Sequence, residues 1–241
     1  MLDRDTTPEL PPGTALAWGA TPPPRRGPKP AHTVAQIVAA AVELADADGL
    51  ANASLPNIAH EVGVTTNALY RYVSSKEELT VLLADAGWGP PPAGLASSGD
   101  WRSDVRRWTR AVVERLLSRT WLLDLPMRGD PVTPHRLAWT ELLLRACALA
   151  GVGEEHLPGC VTMVSGFAHA TAVRLATPAT PAETAAVRDH LAPHLDRAGS
   201  VRLAALVAGG RYPATAEDHD AFFAAGLEPV LAGVAGVAGR E

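Results

Sequence analysis

Residues 54–83 read SLPNIAHEVGVTTNALYRYVSSKEELTVLL, and the spacing inside this stretch decides the fold. Leu55, Ile58, Ala59 and Val62 recur at i, i+3, i+4 and i+7, which predicts a short helix with one apolar face. Ser54 stands at its N-cap position, where a hydroxyl accepts from a free backbone N–H. Gly63 supplies a turn residue that tolerates positive φ. Thr65 is a second N-cap and opens a helix over 65–72 whose inner side is Ala68, Leu69 and Tyr72, with Val64 just before it. The outer side is Thr65, Thr66, Asn67, Tyr70 and Arg71: short hydrogen-bonders, a phenol and a guanidinium. A plain solvated helix carries mixed Glu and Lys there instead. Two short helices joined by a tight glycine turn form a helix-turn-helix, whose second helix enters the DNA major groove. An ordinary corner between two helices has the same spacing, so the flanks matter.

Upstream, Thr33 and Gln36 form a capping box. The helix they open carries Val34, Ile37, Val38, Ala41, Leu44 and Ala45 on one stripe and ends at Gly49. Its outward face holds Glu43, Asp46 and Asp48. Before it, Arg25, Arg26 and Lys29, stiffened by Pro28 and Pro30, make a basic arm suited to DNA phosphate or the adjacent minor groove. Downstream, Ser74 or Ser75 caps a further helix with Lys76 in its first turn. The helix dipole disfavours a cation there, and a bound phosphate would account for it.

Four segments together resemble the tetracycline-repressor (TetR) family of bacterial regulators: RRGPKP (25–30), QIVAAAVELADADGL (36–50), SLPNIAHEVGV (54–64) and ALYRYVSSKEEL (68–79). FFAAGLEPVLAG (222–233) adds a weaker match. The resemblance implies an all-α protein: a three-helix DNA-binding head and a larger helical domain for ligand binding and dimerisation. It implies that Ser54, Thr65, Thr66, Asn67, Tyr70, Arg71, Tyr72 and Lys76, with the arm residues Arg25, Arg26 and Lys29, face DNA. Thr66 and Asn67 would read base edges, a Thr methyl on thymine and an Asn amide on adenine. Tyr70, Tyr72 and Lys76 would hold phosphates, and Arg71 either. Where members often carry a basic residue early in the first motif helix, this chain has Pro56 and Asn57, which removes a cation.

The remaining composition agrees with all-α. Of 241 residues, 47% are apolar, enough for a core, with alanine dominant and strand-forming runs scarce. The net charge is −5, so the whole chain does not advertise nucleic acid. Residues 25–76, however, hold five Lys or Arg against four carboxylates, a net of +1. No apolar run reaches the ~18 residues of a membrane span, and the N-terminus lacks the apolar core of a signal peptide. Cys147 and Cys160 lie in apolar helical contexts without CxxC spacing, which predicts buried thiols in a reducing compartment. The expected location is the cytoplasm.

The expected organisation is a disordered tail over 1–24, in which Trp18 has no evident role, a DNA-binding domain over 25–86 and a ligand-binding and dimerisation domain over 100–241. GWGPPPAGLASSG (87–99) forms the boundary, since its prolines and glycines cannot continue a helix. Beyond it, helices are expected from Asp100 or Ser103, over 133–150 (buried on most sides), over 154–176, over 183–197 (bent or ended by Pro193), over 201–208 and over 217–237. A bend is expected at Pro229. Gly226 and Gly233, a heptad apart, leave a flat strip. Such small, flat faces suit either self-association or packing within one chain; the resemblance implies that helices near 154–176 and 217–238 form a homodimer that presents two recognition helices to a palindromic operator.

A ligand pocket would draw on Trp108, Trp121, Met127, Trp139 and Phe167, with His135 and His169 as polar handles and the effector unknown; taken singly, each aromatic reads first as core packing and each His as a hydrogen-bonded core or surface residue. No cofactor, metal site or catalytic motif is expected. The competing readings are an activator of the same architecture and a helical small-molecule-binding protein with a weak or vestigial DNA head.

Overall fold

The computed structural model describes residues 10–20, 32–95, 97–125, 132–177, 179–212 and 219–239. Within them the chain is all-helical, as expected. A short helix α1 (Thr14–Ala17) is followed by α2 (Val34–Asp48), α3 (Leu55–Glu61), α4 (Thr66–Leu69) and α5 (Lys76–Trp88). Then come α6 (Trp101–Ser118), α7 (Pro134–Leu149), α8 (Leu157–Ala176), α9 (Pro181–Arg197), α10 (Val201–Ala208) and α11 (His219–Val237).

The caps explain where the elements begin. Gln36 N–H donates to Thr33 Oγ1 at 3.2 Å while Gln36 Oε1 accepts from Thr33 N–H at 2.8 Å, the reciprocal box that frees no donor at the start of α2. Ser54, Thr65, Ser75 and Asp100 cap α3, α4, α5 and α6 with side-chain oxygens. Gly49, at φ 81°, ends α2.

One continuous apolar core runs from Ile37, Ile58, Leu69 and Val73 in the head, through Leu79, Leu82, Leu83 and Trp88 on α5, to Val105, Leu116, Leu143 and Val164 in the body. Helix α5 is therefore the beam that joins the two. The proline-rich connection after it is stapled to α6. Asp104 accepts from Ser97 Oγ (2.8 Å) and from Ser98 N–H (2.9 Å) and Oγ (2.7 Å). Arg107 donates to Gly94 O at 2.6 Å.

Several expectations need correction. Residues 10–20 are not a loose tail: α1 packs on α5, and Trp18 Nε1 donates to Val132 O at 2.8 Å. The recognition helix is shorter than 65–72, giving way to turns at Tyr70–Tyr72. Helix α7 buries only the stripe Trp139, Leu143, Ala146 and Cys147 and leaves Leu149 48% exposed, so it lies on the body rather than within it. Pro193 neither ends nor interrupts α9, and α11 continues unbroken past Pro229. In both helices the carbonyl deprived of a donor, four residues earlier at Asp189 and Ala225, belongs to an exposed residue, where water can satisfy it. Gly226 and Gly233 face inward within the chain: a Cβ at Gly226 would meet Phe167 Cε2 at 2.7 Å, and one at Gly233 would meet Met163 Sδ at 3.1 Å. The flat strip they form is filled by α8.

Candidate nucleic-acid interface

Ile58 and Ala59 on α3 and Leu69 and Val73 after it are nearly inaccessible and fix one side of the motif to the core. Pro56 lies in the first turn of α3, where its missing N–H is no loss. Asn57 Nδ2 donates to Asn52 O at 3.0 Å and to Asn52 Oδ1 at 2.9 Å, holding the turn before α3. Both residues therefore help to set the start of α3. Gly63, at φ 70° with open space around it, is required by conformation alone. Val64 N–H donates to Ala59 O at 2.9 Å and closes the turn. Thr65 Oγ1 accepts from Ala68 N–H at 3.3 Å and caps α4.

With Leu69 turned inward, Thr65, Asn67, Tyr70 and Arg71 stand exposed and Thr66 half-exposed along one side. Tyr70 is 47% exposed, high for an aromatic with nothing to shield it. Tyr72 is half-buried, and its hydroxyl accepts from His32 N–H at 3.3 Å. That bond ties the start of α2, where the basic arm ends, to the end of the recognition element. The arm residues Arg25, Arg26 and Lys29 lie outside the described residues. Ser54 is half-buried and engaged as the cap of α3, accepting from Asn57 N–H at 3.4 Å.

Lys76 is the first residue of α5 and is exposed. Ser75 Oγ accepts from Glu78 N–H at 3.1 Å, and Glu78 Oε2 accepts from both the Ser74 hydroxyl and the Ser74 N–H. The carboxylates of this turn thus complement the helix dipole, leaving the Lys76 ammonium exposed.

The residues expected to line a pocket are dispersed. Trp108 and Trp139 do meet, edge to face at 6.4 Å between centroids, but as packed core: Trp108 Nε1 donates to Trp139 O at 2.8 Å and Trp139 Nε1 to Gly89 O at 3.0 Å. Phe167 lies against Gly226 and Phe223. His169 is half-buried on α8. Met127 lies outside the described residues.

Trp121 and His135 turn instead toward the head. Trp121 Nε1 donates to Asp46 Oδ1 at 2.7 Å, Arg119 pairs with the same carboxylate at 3.1 Å, and the Trp121 ring lies against Gly87. Asp85, 7% exposed on α5, accepts from the N–H groups of His135 and Arg136 at the start of α7 (3.0 and 3.3 Å). Burial pulls Arg136 down to about 10, against the opposing pull of Asp85, while its guanidinium lies 4.1 Å over Trp88. Asp46, Asp85, Gly87, Arg119 and Arg136 escape sequence reasoning, because no local spacing marks a residue whose partner lies tens of positions away.

A groove of about 270 Å³ between α9 and α10 is lined by Ala192, Ala204, Ala205 and Ala208. Both cysteines are buried and free. Burial, reinforced by neighbouring Cys160, raises Cys147 to about 12, and burial raises Cys160 as well. His190 and His194 stand four apart on α9, a spacing that could chelate a metal, with rings 4.9 Å apart. His194 Nδ1, however, lies 3.1 Å from an Arg197 guanidinium nitrogen. Among the described residues no three His, Cys, Asp or Glu cluster as a metal site, and no helix is long and apolar enough to cross a membrane.

Comparison with known proteins fits this head and body. The model of the bacterial regulatory proteins of the tetR family matches residues 37–82, and that of the tetracyclin repressor-like C-terminal domain matches residues 93–238. The chain belongs to the TetR family. It is 30% identical over 228 residues to the HTH-type transcriptional repressor DrrR1 of Streptomyces coeruleorubidus, covering 91% of this chain and 83% of that one. It is 32% identical over 213 residues to an HTH-type transcriptional regulator of Saccharopolyspora erythraea, covering 88% and 89%. Apo ActR of Streptomyces coelicolor has the same fold, with a TM-score of 0.71 at 24% identity over 88% of this chain and 99% of ActR. ActR in complex with actinorhodin gives 0.68 at 23% identity over the same shares. As a TetR-family protein the chain is a DNA-binding regulator of transcription.

Proposed function

We propose that the chain acts as a homodimeric repressor on a palindromic operator and is released when a small molecule binds its C-terminal body. The observation that carries the DNA contact is the capped α4. Its inner residues are locked into the core at Leu69 and Val73, while Thr65, Asn67, Tyr70 and Arg71 stand exposed. Thr66 and Asn67 read base edges, Tyr70 and Lys76 hold phosphates, and Arg71 serves either role. Tyr72 contributes by seating the start of α2 and with it the basic arm. Repression is the activity named for DrrR1, and a bound small molecule is what the ActR complex contains; both support the reading. The protein works where the chromosome is, in the cytoplasm, as a regulator and not an enzyme. The homodimer uses α8 and α11, and on the outer face of α8 Gly159, Gly166 and Ala170 are exposed and Val173 is 46% exposed.

Selection from random duplexes tests this. Wild-type protein should enrich a two-half-site palindrome, and Arg71→Ala and Lys76→Ala should weaken its capture. No enrichment at low salt, where phosphate contacts are strongest, would defeat the reading for the unliganded protein.

A further inference from the structure

Residues 10–20 precede the segment matched by the family's DNA-binding model, which begins at residue 37, yet they are folded onto the molecule. Gly13 takes φ 78°, and a Cβ there would stand 2.9 Å from Glu78 O and 3.0 Å from Val81 Cβ. Only glycine lets the chain lie this close to the first half of α5. Thr14 follows at 7% exposure, and Leu16 and Ala17 pack on the apolar core. The chain then turns at Gly19 (φ 80°), and Trp18 Nε1 reaches Val132 O, just before α7.

The segment thus touches both α5, which starts at Lys76 and leads out of the DNA-binding head, and the body. At its other end α5 is already tied to the body, through Asp85 and the N–H groups of His135 and Arg136 and through Trp88 against Trp139 at 5.7 Å. A helix fixed at one end can still pivot. The contacts at Glu78 and Val81 lie about two turns and one turn from Asp85, roughly 10 Å and 6 Å, and oppose that pivot.

We propose that residues 10–20 form a strap in cis that holds α5, and so the angle of the DNA-binding head, against the body. The strap is a control point: whatever lifts it frees the head and weakens operator binding. This rests on the reading of α4 and Lys76 as DNA contacts. The strap itself adds no cation, so its effect on DNA is one of geometry.

The test compares full-length wild type with Gly13→Val and Trp18→Phe, neither of which changes a charge. Hydrogen exchange is followed over α5, with α8 as internal reference, and operator affinity is measured across a salt series. Gly13→Val is expected to speed exchange at residues 77–83 roughly tenfold while α8 stays unchanged. It is expected to weaken operator binding roughly fivefold or more with the same salt slope. Trp18→Phe, at a site 59% exposed and safe for folding, should shift both readouts in the same direction by less. Unchanged exchange over α5 in both variants would overturn the strap. So would weaker binding with a shallower salt slope, because the segment would then be touching DNA itself. If wild type binds no duplex, the DNA-contact reading fails, and the exchange comparison still decides whether the strap holds α5.

Discussion

Asp104 shows how a single side chain organises a connection. Burial alone would raise its pKa, but the Ser98 N–H and hydroxyl, the Ser97 hydroxyl and Arg107 together bring it to about 2. The value in the folded protein lies below that in the unfolded chain. The stabilisation is therefore complete above the ordinary carboxylate range and is lost as pH falls from about 4 toward 2. Urea unfolding of wild type and Asp104→Asn should differ by about 2 kcal/mol at pH 6, the gap closing as pH drops through that window. A pH-independent gap would show that the carboxylate charge is not the source. At the interface, Lys76→Ala should weaken operator binding for all sequences and lower the salt slope by about 1, whereas Asn67→Ala should relax base preference with little change in slope. Binding titrations on matched and mutated duplexes separate the two.

At the scale of elements, close approaches decide which substitutions are tolerated. A Cβ on Gly87 would fall 2.3 Å from Trp121 Cη2, and Trp121 is itself buried and held by Asp46. Gly87→Ala should therefore destabilise by about 1–3 kcal/mol through overpacking, measured by thermal unfolding. Unaltered stability would mean that the α5 seam is looser than the contact implies. Gly226 and Gly233 differ in the same way. The first faces the stiff Phe167 ring and the second the flexible Met163 thioether, so alanine should cost more at 226 than at 233.

At the scale of the whole molecule, the shared core makes α5 the common member of head and body, with Asp46–Arg119–Trp121 and Asp85–His135 as polar ties across the seam. The outer face of α8 is the proposed meeting surface of two copies. Gly166 has open space around it within one chain. Gly166→Leu should leave the helical content intact and shift sedimentation from dimer toward monomer. A dimer unaffected by this bulk would move the interface elsewhere.

The amino-acid sequence by itself determined everything that depends on near neighbours. Capping residues lie three positions from their partners, apolar stripes repeat every three or four, and Gly63 takes the positive φ that the turn between α3 and α4 needs. Hence the helix-turn-helix, its exposed row and the all-α body are readable from one dimension. Only the tertiary structure decided the contacts between distant positions. It seated residues 10–20 on α5, paired Asp46 with Arg119 and Trp121, and filled the Gly226–Gly233 strip from within the same chain. It also joined Trp108 and Trp139 as hydrogen-bonded neighbours in the core. The physical reason is that burial and polar satisfaction belong to the packed molecule: a tryptophan or glycine reads the same along the chain whether its neighbour in space is a ligand, another subunit or its own core.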